Sequence, residues 1–227
     1  MSAPSLRARV RSEMSQEIKA VARRHLATDG AHLSLRAVAR DLDIVASALY
    51  RYFPSRDALL TALIVDAYDD LAAAAAAAES AVPRDDLRGR WVAVCQGVRD
   101  WALAHPAEYG LIYGSPVPGY AAPQDTVEPA TKVILLLAAI VTDAGDRLRP
   151  PPSPLTEPLR DDLHRLVAGR GGTLPEEQLD RVLVAWTHLY GVLSFEVFGR
   201  LNIMIEARAD YFDHHMHLMA DLAGLPR

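Results

Sequence analysis

The thirty residues from Ser34 to Leu63 constrain this chain more than any other stretch: SLRAVARDLDIVASALYRYFPSRDALLTAL. Ser34 is placed to cap a short helix that carries Val38 and Ala39 inward. Leu42 to Val45 reads as a tight turn, and a second short helix covers about Ala46 to Tyr52. Pro54 opposes its continuation. Ser55 then caps a third helix, with Asp57 in its first turn where the helix dipole favours an acid. Two short helices, a turn and a capped third helix leave little room for any fold that is not helical here.

The rest of the chain agrees. Apolar residues recur at helical spacing, strand-like runs are scarce, and the expected fold class is all-α. A first helix spans about Ser12 to Thr28, with Ile18, Val21, Ala22 and Leu26 on one face and Asp29-Gly30 as a stop. The third helix of the opening motif runs on through Leu59, Leu60, Leu63, Ile64 and Ala67 into the tract Ala72–Ala78. Alanine is the best helix former, so that tract continues the helix to Pro83. Further helices are expected at about Leu87–Ala104, Ala107–Tyr113, Val127–Leu148 and Leu159–Ala168. Thr173-Leu-Pro-Glu176 is a capping-box pattern opening a helix of about 25 residues. A last helix covers about Ile203–Ala223, with Gly224 as its stop. The expected division is a small N-terminal helix-turn-helix domain, residues 1–57, and a larger helical bundle, residues 58–227.

Charge divides the chain at the same place. Residues 1–56 carry a balance of +5 and residues 57–227 one of −10. A basic small module on an acidic larger one fits a nucleic-acid reader carried by a domain that does not touch the nucleic acid. The single cysteine, Cys95, allows no internal disulfide and points to a reducing cytoplasm. The longest strongly apolar run, Val133 to Val141, is far short of the roughly 20 residues a membrane span needs. The arginine-rich start has no apolar core of a secretory signal.

A helix that reads DNA in the major groove turns its apolar side inward and small or polar side chains outward. Leu49 and Phe53, four apart, are suited to packing on the first helix. That leaves Ala46, Ser47, Tyr50 and Arg51 for the outer face. Ser47 suits a base edge, Ala46 a thymine methyl, and Arg51 a guanine or a phosphate. Tyr50 and Tyr52 offer hydroxyls to phosphates. Ser34 and Arg36, with Ser55 and Arg56, stand at helix starts whose free N–H groups suit phosphate oxygens. The arginines at 7, 9 and 11 read either as an arm entering a minor groove or as a solvated tail.

Over its whole length this segment resembles the TetR family of bacterial transcriptional regulators. The resemblance is carried by Ala39, by Ala48-Leu49-Tyr50-Arg51-Tyr52-Phe53, and by Pro54-Ser55-Arg56. It implies a helix-turn-helix fold and dimeric binding to a palindromic double-stranded operator. Two positions depart from the family pattern. Asp43 stands where glycine is usual in the turn, and aspartate tolerates a left-handed conformation better than most residues. Val45 stands where serine or threonine usually caps the recognition helix; losing that bond costs about 0.5–2 kcal/mol.

The second half resembles the family more loosely. Trp186-Thr-His-Leu-Tyr190-Gly191 and His105-Pro106-Ala-Glu-Tyr109 are similar to a C-terminal subgroup with a tryptophan followed by His-Gly, although Tyr190 replaces that histidine. The resemblance implies a small-molecule effector. Its candidate lining is Trp91, Cys95, Trp101, Tyr109, Tyr113, Trp186 and Tyr190, each of which can equally be a core residue. Leu189, Val192, Leu193 and Val197, with Tyr211, Phe212, His215 and Leu222, supply stripes for a four-helix homodimer interface. In Asp213-His214-His215-Met-His217, His214 and His217 share a helix face as two zinc ligands would, but the run reads rather as a polar or interface face of the last helix, and no catalytic constellation or cofactor motif is present. The expectation is a DNA-binding regulator, acting as a repressor released by an apolar effector, with no enzymatic activity and no cofactor. Control by a protein partner is the alternative.

Overall fold

The computed structural model describes residues 5–29, 33–150, 153–169 and 174–227. Among them every regular element is helical. The chain separates into two compact units: residues 1–69 with 105–130, and residues 70–104 with 131–227. The division falls inside one long helix, α4 (Arg56–Ser80), after Asp69. The first unit also reclaims a segment of the second half, which the expected boundary at 57/58 does not anticipate.

In the first unit, α1 (Leu6–Asp29), α2 (Leu35–Asp41), α3 (Ala46–Leu49) and the start of α4 (Arg56–Ser80) enclose a small core. Ile18, Val21 and Ala22 of α1 meet Val38 and Ala39, Leu49 and Phe53, and Leu59, Leu60 and Leu63. Most of these side chains are almost fully buried. The spacing of the α1 residues puts them on one face. That face is tied to α4 by charge as well: Asp66 accepts from Lys19 at 2.6 Å and from Arg23 at 2.8 Å. α6 (Pro106–Tyr113) packs on α1, and Val117 enters the core while Ala107, Leu111 and Tyr120 lie against it.

Two expectations about α1 and α3 need correction. α1 begins at Leu6, so Arg7, Arg9 and Arg11 belong to a helix and not to a loose arm. It runs to Asp29, while Gly30, the other half of the expected stop, lies outside the described residues. α3 ends at Leu49, three residues earlier than expected, and its chain continues as turns. Asp43 holds φ at +53°, the conformation the turn requires. Ser34 Oγ accepts from the Ala37 amide at 3.4 Å, and Ser55 Oγ from the Ala58 amide at 3.0 Å.

The second unit contains the end of α4, α5 (Leu87–Ala104), the greater part of α7 (Val127–Ala144), α8 (Glu157–Ala168), α9 (Glu176–Val197) and α10 (Arg208–Leu222). The alanine tract of α4 has a packing reason. A Cβ built on Gly97 of α5 would lie 2.9 Å from the Ala74 carbonyl oxygen, so the two helices cross at backbone distance. Arg90, about 1% exposed, donates to Glu79 at 2.6 Å and pairs with Asp143 at 2.8 Å. Burial opposes ionisation of Glu79, but Arg90 and Arg84 outweigh it and hold the carboxyl below its ordinary range. Pro175 occupies the N-cap position of α9 without a side-chain bond, while Thr173 lies outside the described residues. Gly224, at φ +82°, closes α10 as expected.

The turn conformation yields a stability prediction. Asp43→Val should lower the unfolding free energy by about 1–2 kcal/mol, because a β-branched residue resists positive φ. Asp43→Gly should leave it unchanged or raise it. Urea denaturation followed by circular dichroism distinguishes the three proteins.

Candidate nucleic-acid interface and regulatory core

The reader is built from the inside outward. Leu49 is fully buried and Phe53 is 7% exposed, so α3 is clamped to the core through these two side chains. Ser47, Tyr50 and Arg51 face solvent, Tyr50 with 45% exposure. Ser47 lies on α3, and Tyr50 and Arg51 lie in the turn that directly follows it. Ser34 and Arg36, at the start of α2, are exposed as well.

The remaining candidates are placed less freely. Ala46 and Tyr52 pack in part against the core. The Arg56 guanidinium is drawn back onto its own unit, donating from Nε to the Leu33 carbonyl at 3.2 Å and standing 3.6 Å from Asp57. Val45 offers no side-chain bond at the start of α3, as its aliphatic side chain dictates. A groove of about 540 Å³ runs between the first turns of α1 and the end of the reader. Leu6, Arg7, Val10, Arg11, Ala48, Arg51 and Tyr52 line it. Sequence reasoning does not join Arg11 to the reader, because the two lie 40 residues apart.

The candidate effector residues fall into two sets. Tyr109 and Tyr113 belong to the first unit, where Tyr113 meets Tyr109 at 5.2 Å and Tyr68 at 5.9 Å between ring centroids. Tyr68, which sequence reasoning passes over, donates to the Ile112 carbonyl at 3.4 Å; burial raises its phenol above the usual range. Trp91, Cys95, Trp101, Trp186 and Tyr190 belong to the second unit. Burial pushes the Cys95 thiol far up, which keeps it neutral. Trp186 and Tyr190 meet edge to face at 5.5 Å. The indole N–H groups of Trp91 and Trp186 are both buried and reach no protein acceptor.

On the outside of α9, Val184, Gly191 and Phe195 are exposed, and a Cβ added to Gly191 would meet open space. Together with His188 and Tyr211 they border a depression of about 420 Å³. Leu189, Leu193 and Phe212, read from sequence as interface residues, are instead buried in the core of the second unit, whereas Val192, read likewise, lines this depression. His188 Nε2 lies 2.8 Å from His215 Nδ1, with the rings stacked, and Tyr211 covers His215 at 4.2 Å. His214 meets His215 edge to face, and Asp213 stands 3.6 Å from His217. Among the described residues no group of three or more His, Cys, Asp or Glu side chains is placed to hold a metal ion, and no helix is long and apolar enough to cross a membrane.

A helix-turn-helix module with an exposed polar recognition face, joined to a separate helical unit, has the architecture of a DNA-binding regulator. Residues 18–63 match the family described as bacterial regulatory proteins, tetR family. Residues 91–219 match the tetracyclin repressor-like C-terminal domain. HTH-type transcriptional regulators of Mycobacterium bovis and Mycobacterium tuberculosis are each 39% identical over 198 residues, covering 84% of this chain and 83% of the relative. Among solved structures, the regulatory protein SCO4313 superposes with a TM-score of 0.78 at 33% identity, covering 96% of this chain and 100% of that one. A protein of unknown function from Rhodococcus sp. RHA1 shares the fold at a TM-score of 0.68 and 24% identity, over 94% and 96% of the two chains. The chain belongs to the TetR family of bacterial DNA-binding transcriptional regulators.

The histidine pair makes stability depend on pH. Burial, and then a neighbouring imidazole, hold His188 and His215 below the usual range. The unfolded chain therefore takes up protons first as pH falls. This contribution to stability is fully present above about pH 6.5 and is lost below it. The melting temperature should fall between about pH 6.5 and 5, and a His188→Gln/His215→Gln variant should show a flatter profile there.

Proposed function

We propose that this protein is a homodimeric repressor that binds a near-palindromic operator and is released by a small, largely apolar effector. The observation that carries the DNA half is the exposed set Ser47, Tyr50 and Arg51 on α3 and the turn after it, fastened by buried Leu49 and Phe53. Ser47 and Arg51 address base edges, with Ala46 beside them; Tyr50, Ser34 and Arg36 address phosphates. Tyr52 and Arg56, already engaged within the unit, act mainly by positioning. A reader of genomic DNA works in the cytoplasm, and it acts by binding rather than catalysis.

The dimer face is the outer stripe of α9, with Val184, His188, Gly191 and Phe195, beside Tyr211 and Leu218 of α10. Val184, Phe195 and Leu218 are each more than 40% exposed, and Gly191 lets a second helix approach closely. A two-fold dimer then presents two readers about one DNA turn, roughly 34 Å, apart or somewhat more. The effector lies in the second unit, with apolar bulk against Trp91, Cys95, Trp101, Trp186 and Tyr190. Two indole N–H groups without acceptors favour a ligand that carries hydrogen-bond acceptors. Effector binding shifts the population toward dimers whose readers no longer match the operator, with α4 as the continuous element between readers and regulatory core.

Fluorescence anisotropy with DNA flanking the protein's own gene tests this reading. Binding should survive competitor DNA and weaken steeply with salt. Arg51→Ala should weaken it by about 1–3 kcal/mol. Phe195→Asp should shift sedimentation toward monomer, costing the dimer at least about 2 kcal/mol, and should weaken operator binding with it. Any effector found should lower operator affinity by the same factor by which operator lowers effector affinity. Binding that disappears with competitor, or a Phe195→Asp protein that stays dimeric, contradicts the proposal.

A further inference from the structure

The recognition helix is poorly supported by its own residues. α3 has four residues, and its N-cap, Val45, makes no side-chain hydrogen bond. Helices this short do not persist on their own, because nucleation costs more than one turn of bonds returns. Leu49 and Phe53 hold the end of α3 and the turn after it from below, but leave the exposed Tyr50 and Arg51 between them unsupported on the outer side.

The turn that follows α3 is held from outside as well. Arg11 lies seven residues before buried Ile18 and so on the same face of α1. Its Nη2 donates to the Arg51 carbonyl at 3.3 Å. The same guanidinium stands over the Tyr52 ring, 5.5 Å from the centroid. Both contacts fall on the turn that directly follows α3. The contact exists because α1 extends back to Leu6, which carries Arg11 past the core to the reader.

Resting on the operator-binding reading above, we propose that Arg11 is a positioning residue for DNA recognition: it fastens the turn carrying Tyr50 and Arg51 that follows a recognition helix lacking a cap at its start. It acts through the backbone of Arg51 and the ring of Tyr52 and does not itself neutralise a phosphate. Arginine suits the task because its planar fork stacks on an aromatic ring while donating to a carbonyl; lysine cannot do both.

Two measurements on the intact protein test this. The first is amide hydrogen exchange of the free protein, which needs no operator. Arg11→Ala should speed exchange of the Tyr50–Phe53 amides at least about threefold while leaving the α4 and α9 amides unchanged. Val45→Ser, which supplies the missing cap, should reverse most of that gain. The second is operator anisotropy over a salt series. Arg11→Ala should weaken binding about tenfold with the salt slope unchanged, Arg11→Lys should fail to restore it, and Arg11→Ala/Val45→Ser should recover most of it. Unchanged exchange in Arg11→Ala overturns the proposal whether or not an operator has been found. So does a salt slope shallower by about one unit per protomer, which marks a direct phosphate contact. An equal loss from Arg11→Ala with and without the Val45→Ser substitution overturns it too. If exchange responds as stated while the unmodified protein binds no DNA selectively, the fastening stands and the operator reading fails.

Discussion

The burial of Leu49 and Phe53 against Ile18, Val21 and Ala22 is the interaction on which the DNA-reading arrangement depends. A four-residue helix gains almost nothing from its own hydrogen bonds. Its position is set by the side chains it buries, and the direction of Ser47, Tyr50 and Arg51 follows from that position. The surrounding devices all serve this placement. Asp43 turns the chain with a positive φ, Ser55 starts α4, and the Asp66 pairs with Lys19 and Arg23 fix α4 to α1. Specificity for DNA is thus inherited from packing.

How much of this the sequence shows depends on the range of the interaction. The turn, the caps at Ser34 and Ser55, the uncapped Val45 and the inward pair Leu49 and Phe53 are local, and spacing reveals them. The first turns of α1 escape such a reading because the alternating arginines of LRARVR mask the i, i+4 pair Leu6 and Val10, both of which remain largely exposed even in the helix. The return of α6 and the segment through Tyr120 to the first unit is not visible locally, since it rests on contacts such as Tyr120 Oη with Thr61 Oγ1, 59 residues apart.

The second unit shows the limit of periodicity. α9 is apolar on more than one face, so spacing alone cannot say which stripe turns outward. Leu189 and Leu193 turn inward, whereas Val184, Gly191 and Phe195 remain outside. Size is the clue the residues do offer: a glycine in mid-helix marks close approach of another backbone or open space, and here it is open space. The buried tryptophans are recognisable as large core residues, but that two of their N–H groups lack acceptors emerges only from the packed structure.

The central claim is that two copies of this reader bind one pseudo-palindrome. Footprinting on the DNA flanking the protein's own gene, with the stoichiometry of the complex measured by sedimentation, tests it most directly. The account predicts two protected half-sites separated by about one DNA turn or somewhat more, occupied by an even number of protomers, with protection lost in Arg51→Ala. Uniform protection without half-sites, or a complex of one protomer, would contradict it.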